Sequence, residues 1–176
     1  DAFIAKINAA GSAPAFNFSL GGTAFDAGYG IAVDGRGCAY VTGETYSNEA
    51  SFPETVGPDL TANGGIDAFV AKLNAAGSAL VYCGFLGGSS SDYGRGIAVD
   101  GAGFAYVAGE TYSSEASFPV REGPDLTFNG SGDAFVAKLN TWGQSYLYCG
   151  YVGGGGEEFC GGIAVDGGGN AYLAGS

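Results

Sequence analysis

Apolar residues in this chain come in short runs, broken at near-regular intervals by glycine and polar residues. Ile31-Ala32-Val33 meets Asp34-Gly35-Arg36-Gly37, and a second run, Ala39-Tyr40-Val41, follows one residue later. Two short apolar runs across a glycine-containing turn are the pattern of a β-hairpin. The pattern of residues 30–44 returns at 96–110 and again, incomplete, at 162–176. No window of ten or more residues carries apolar positions at helical spacing, so the pattern predicts an all-β chain.

Self-comparison extends the repeat to the whole sequence. Asp1-Ala2-Phe3-Ile4-Ala5-Lys6-Ile7-Asn8 recurs at residues 67–74 and 133–140, a period of 66. Residues 1–66 and 67–132 align without a gap with 43 identities, and the third copy, 133–176, covers 44 positions. Such similarity at a fixed period marks one supersecondary unit used repeatedly within a single segment, 1–176.

Each unit predicts four strands. In the second copy they are residues 67–74, 79–86, 97–99 and 104–108, separated by a turn at 75–78, a Gly/Ser/Asp-rich loop at 87–95 and a turn at 100–103. A connection of over twenty residues follows the fourth strand, at 45–66 and again at 111–132. Loops of that length tend to be functional or ordered by their own side chains. Phe52 and Phe118, each followed by proline, are expected to pin these connections to the body.

Four antiparallel strands per repeat, apolar or small on both faces, predict a β-propeller built from four-stranded blades. With Ile-Ala-Val as the inner strand, Ala-Tyr-Val is second, Asp-Ala-Phe-Val-Ala-Lys-Leu third and Leu-Val-Tyr outermost. On that phase the chain holds three blades' worth of strands, with one blade split between the termini. Three blades fall below the roughly four to eight of ordinary propellers, and half-blades expose sheet edges that invite pairing. The expected partner is therefore a second copy, joined head to tail through residues 1–23 and 162–176. Such a contact closes into six blades or, if the rotation does not close, runs on as a filament. An excerpt of a longer array is the third arrangement that fits.

Asp-Ala-Phe-Val-Ala-Lys-Leu, then Gly-Gly, then Gly-Ile-Ala-Val-Asp-Gly-x-Gly-Asn-Ala-Tyr and x-Phe-Pro resemble the SBBP β-propeller repeat of bacterial secreted and cell-surface proteins. The third copy matches best, at Asp166-Gly167-Gly168-Gly169-Asn170; Cys38 and Phe104 stand where that Asn does in the other copies. The resemblance implies a propeller and an extracellular or cell-surface setting. It brings no catalytic residues to carry over.

Composition narrows the function classes. Eighteen acidic against six basic residues give a formal charge of −12, which disfavours nucleic acid and anionic membranes as partners. Cations, neutral glycans or basic proteins fit better, and an acidic coat that keeps the protein soluble fits best. The apolar runs are far shorter than the roughly 20 residues of a spanning helix, so no membrane insertion is expected. The chain opens at Asp1 with no basic-then-apolar leader, as a mature product or an excised segment would. Cys38, Cys83, Cys149 and Cys160 lack metal-site spacing, and there is no His to help them. Buried free thiols are expected, with one disulfide the alternative.

The candidate site residues are Asp26, Asp92 and Glu158, in the loops leading to the inner strands, with Tyr46, Tyr112 and Trp142 as stacking surfaces for sugar rings. Converging carboxylates there would bind a cation or sugar hydroxyls; as solvated loop acids they would bind nothing. Asp34, Asp100 and Asp166 are expected to cap their own turns, with calcium the alternative ligand; no other cofactor is expected. Lys6, Lys72 and Lys138 are expected to pair with Glu44, Glu110 or Asp1, Asp67 and Asp133. Without a His for a triad, a nucleophile elbow or a phosphate loop, the expectation is a non-enzymatic scaffold or adhesion module. The alternative is a carbohydrate- or calcium-binding propeller that uses the face carrying the long connections.

Overall fold

The computed structural model describes residues 1–176 as twelve β-strands with no helix. β1 (Ala2–Ile7) and β2 (Pro14–Leu20) form an antiparallel hairpin. β3 (Asp26–Val33), β4 (Ala39–Thr45), β5 (Asp67–Leu73) and β6 (Leu80–Leu86) form a four-stranded antiparallel sheet in chain order. β7 (Asp92–Val99), β8 (Ala105–Thr111), β9 (Asp133–Leu139) and β10 (Tyr146–Val152) repeat that sheet. β11 (Cys160–Val165) and β12 (Ala171–Gly175) close the chain as a second hairpin.

The inner strands are longer than their apolar runs suggest. Residues 92–95, expected as part of a loop, belong to β7, which pairs with β8 from Asp92↔Thr111 to Val99↔Ala105 with a register shift between Gly94 and Gly96. Glycine here answers a packing demand, not a need for flexibility. A Cβ on Gly30 would lie 3.0 Å from the Cα of Gly96, and one on Gly96 would lie 3.1 Å from the Cα of Gly162. The inner strands β3, β7 and β11 therefore pass one another backbone to backbone, an approach that residues without a side chain allow without displacing the neighbouring strand.

Away from those strands the sheets stack through side chains. Tyr40, Val70, Tyr82 and Leu86 of the first sheet share a buried cluster with Ile97, Val107, Phe135, Leu139 and Tyr151 of the second. The first hairpin packs Ala2, Ile4 and Leu20 against Val41, Phe69, Leu73 and Phe85. Both faces of the first sheet are thus covered, as the two-sided apolar strands predict.

The long connections run along the outer edges of the sheets. Residues 46–66 follow β6, where Thr55 N–H donates to Cys83 O (3.0 Å), Cys83 N–H to Val56 O (2.9 Å) and Phe85 N–H to Asp59 O (2.9 Å). Residues 112–132 follow β10 in the same way, through Arg121–Cys149 pairing and Tyr151 N–H to Asp125 O (2.8 Å). Each connection thereby occupies the edge that would otherwise be open to another chain. Phe52 and Phe118 are its anchors, both buried; Phe118 lies 5.3 Å from the Phe135 ring and 5.4 Å from the Tyr151 ring.

Phe118→Ala should cost about 3–5 kcal/mol, the range for emptying a buried aromatic site. Urea unfolding at neutral pH checks this; a loss below about 1 kcal/mol would mean that the connection is held by its backbone bonds alone.

Candidate functional site

Asp26 and Asp92 open the inner strands opposite Thr45 and Thr111, and both are buried rather than solvated as loop acids would be. Asp92 accepts hydrogen bonds from the Thr111 hydroxyl, the Ser113 hydroxyl (3.0 Å) and Gly88 N–H (2.7 Å). Asp26 is held by the equivalent donors, Thr45, Ser47 and Gly22. Ser47 and Ser113 also accept from Ala24 N–H (3.0 Å) and Ser90 N–H (2.9 Å). The Asp-Thr-Ser set is thus a clasp that ties the start of an inner strand to the start of the long connection.

A second carboxylate lies beside this clasp. Asp67, at the start of β5, uses Oδ2 to accept from Asn63 N–H (3.1 Å) and Gly64 N–H (3.3 Å), while its buried Oδ1 has no partner. A Cβ on Gly87 would lie 2.5 Å from that Oδ1 and 2.7 Å from Asp92 Oδ2, so the two acids converge on a residue that must be glycine. Asp133 repeats the arrangement with an unpartnered Oδ1, next to the equally unpartnered Oε2 of Glu158 around Gly153. Burial pushes the Asp67 carboxyl up to about 6, and the neighbouring Asp92 charge adds to the rise against the Gly64 and Asn63 N–H groups. Asp133 is raised too, by burial first and then by Glu158.

The buried glutamates find a partner that the sequence did not suggest. Arg95 donates through Nε (3.1 Å) and Nη2 (3.0 Å) to Glu110, its Nη1 lies 3.9 Å from Glu44, and its guanidinium stacks between Tyr29 and Tyr93. One cation thus joins the ends of the second strands, β4 and β8, of both sheets. The expected lysine pairs are corrected accordingly. Lys72 pairs with Asp34 (3.8 Å), Lys138 lies over the rings of Phe104 and Tyr106 without an ion pair, and Lys6 is exposed. A repeat comparison contained the signal, since Arg95 stands where the first copy has Tyr29 and the third Gly161.

The six candidate residues do not form one site. Asp26, Asp92, Glu158, Tyr46 and Tyr112 gather at one end of the strands. Trp142 follows Leu139 at the far end of β9, about 20 Å away by strand rise. Tyr112 donates to Glu157 Oε1 (2.5 Å), a bond that, with burial, pushes its phenol up to about 12. Tyr46 is half exposed and meets Phe25 edge-on at 5.8 Å. Asp34, Asp100 and Asp166 sit in the turns at the Trp142 end, where each accepts two backbone N–H groups of its own turn and a tyrosine hydroxyl. All four cysteines are free, and burial raises the thiols of Cys83, Cys149 and Cys160.

Four-stranded antiparallel sheets, stacked face to face with glycine-lined inner strands, make this an all-β protein whose repeats are consistent with β-propeller blades. Residues 84–115 match the family of the SBBP β-propeller repeat. That span runs from the outer strand β6 through the whole inner hairpin β7–β8 to the clasp residues Thr111 and Ser113. A comparison with curated proteins finds no match.

The carboxyl pair carries a pH dependence. Because the folded-state pKa of Asp67 is raised from 3.8 to about 6, the folded chain holds that proton more tightly than the unfolded one. Its contribution is fully present below about pH 4 and is lost as the pH rises through 6. Asp67→Asn keeps the acceptor for Asn63 and Gly64 but cannot ionise. Between pH 4 and 8 the stability of the wild type should fall relative to that of the variant, by on the order of 2 kcal/mol. Urea unfolding across that range measures it, and parallel curves would exclude the raised carboxyl.

Proposed function

We propose that this chain is a non-catalytic β-propeller scaffold that self-associates by completing its half-blades, the C-terminal hairpin of one copy pairing with the N-terminal hairpin of the next. The observation that carries the reading is a difference in burial between equivalent positions. Phe3 on β1 is 75% exposed, whereas its counterparts Phe69 and Phe135 are wholly buried. Tyr172 on β12 is 59% exposed, whereas Tyr40 and Tyr106 are wholly buried.

The open edges of β1 and β12 fit each other. In the complete sheets the second strand meets the third in an unbroken register, Ala39↔Leu73 to Thr45↔Asp67 and Ala105↔Leu139 to Thr111↔Asp133. The same register between two copies sets Ala171 opposite Ile7 and Ala174 opposite Ile4. It covers an edge of unpaired N–H and C=O groups and buries large apolar side chains, each worth about 1.5–3 kcal/mol. Because the contact is heterologous, two copies close into a six-bladed ring or further copies extend a filament.

An extracellular or cell-surface setting belongs to this reading, in line with the repeat family resemblance. Burial raises the thiols of Cys83, Cys149 and Cys160 and makes them poor nucleophiles, so they would stay free in such a setting.

Light scattering on the 176-residue chain should give a multiple of the single-chain mass. Phe3→Asp and Tyr172→Asp, which place charge on the two edges, should each return it to one chain with the β-sheet circular dichroism unchanged. A wild type that stays at one chain at tens of micromolar would overturn the proposal.

A further inference from the structure

At the turn end of the strands, opposite the acidic clasps, a cleft of about 550 Å³ lies between the two four-stranded sheets. Asp34, Arg36, Cys38 and Lys72 line it from the first sheet, Thr141 and Trp142 from the second. Its volume falls in the range of small-ligand sites. We propose that this cleft binds an acidic glycan, with a pyranose ring stacked on Trp142 and a uronate carboxylate held by Arg36.

Trp142 has no structural task. It occupies a tight turn in which Gly143, at φ 70°, donates its N–H to Asn140 O (3.0 Å). The first and second copies make the same turn with Ala10 and Ala76 at this position. The indole is 72% exposed. An aromatic face held open to water on a rigid turn is a surface on which the apolar side of a sugar ring stacks.

Two further departures from the repeat open and charge the same cleft. Where the next copy has Phe104, whose ring covers Lys138 at 4.8 Å, this one has Cys38. The smaller side chain leaves room in front of Lys72, which lies over Tyr40 at 4.5 Å. Where the other copies have Ala102 and Gly168, this one has Arg36, exposed and without an ion pair. Asp34, the carboxylate in the cleft, already accepts from Arg36 N–H, Cys38 N–H and the Tyr40 hydroxyl. With Lys72 paired to Asp34 at 3.8 Å, the free hydrogen-bonding capacity of the cleft is mainly that of the Arg36 guanidinium, cationic and donating. Although the chain as a whole carries a charge of −12, this local cation favours a carboxylate acceptor, which a guanidinium can take in a bidentate bond.

The cleft is built wholly from the two complete sheets, so it does not depend on blade completion. Trp142 is the single tryptophan of the chain, and its fluorescence reports on this place alone. Titration with an oligogalacturonate hexamer should shift and quench that emission saturably, and the response should weaken with added salt. Arg36→Ala should weaken binding about tenfold or more, as loss of a charge-assisted pair does. Trp142→Ala should abolish the heat of binding in calorimetry. Both side chains are exposed, so both variants should keep the wild-type unfolding midpoint. No saturable response to the uronate hexamer would overturn the proposal. So would an equal response to cellohexaose that Arg36→Ala leaves unchanged.

Discussion

The convergence of the sheets depends on the passage of the inner strands past one another at Gly30, Gly96 and Gly162. A Cβ on Gly30 or Gly96 would lie about 3 Å from the next strand's backbone, so a side chain at either would push the strands apart, and successive sheets converge there. The sheets then splay outward, and side chains fill the gap between them. Ala, Val and Tyr of the second strand, Ala, Val and Phe of the third and Tyr and Phe of the outer strand supply them. Close backbone passage at the inner strands and ring packing beyond them let 35 glycines coexist with twelve Phe and eleven Tyr in one ordered chain.

Strand order, phase and the anchoring of the long connections were legible because they follow from period and apolar pattern. Phe52 and Phe118 lie buried as the Phe-Pro motif suggested. What was not legible is where polar groups meet across the sheets. Asp26 and Asp92 sit in glycine-rich stretches that read as solvated loops, yet the glycines are there because Asp67 and Asp92 press on Gly87 from two sides. The lysine and glutamate partners were misassigned for the same reason. Spacing along one unit cannot tell that Asp34 reaches Lys72, or that Arg95 of the second sheet reaches Glu44 of the first. Trp142 was grouped with the clasp-end residues by residue type, although strand direction sends it to the other end.

The acidic composition changes meaning with the structure. Asp26, Glu44, Asp67, Asp92, Glu110 and Asp133 are all buried, so a third of the eighteen acids are interior rather than a solubilising coat. Each satisfied member accepts hydroxyl or N–H donors, or pairs with Arg95. Burial of a carboxylate is tolerable only on those terms. Asp67 and Asp133 fall short of them by one oxygen each, and burial raises the pKa of both, as it does that of the fully hydrogen-bonded Asp92.

The two ends of the strands consequently tolerate change differently. At the clasp end Asp, Thr and Ser recur unchanged in the first two copies, at residues 26, 45 and 47 and at 92, 111 and 113. Removing any one would leave buried polar partners unpaired, at about 1–3 kcal/mol each. At the turn end only the aspartate and the glycine with positive φ are needed, as Asp34 with Gly37 and Asp100 with Gly103 show. The intervening positions vary freely, through Arg36, Ala102 and Gly168, and so do the facing turns, through Ala10, Ala76 and Trp142. New chemistry costs little stability where the fold asks least of a residue. That is why the repeats diverge around the cleft between the sheets, while the clasp end keeps the blades in register.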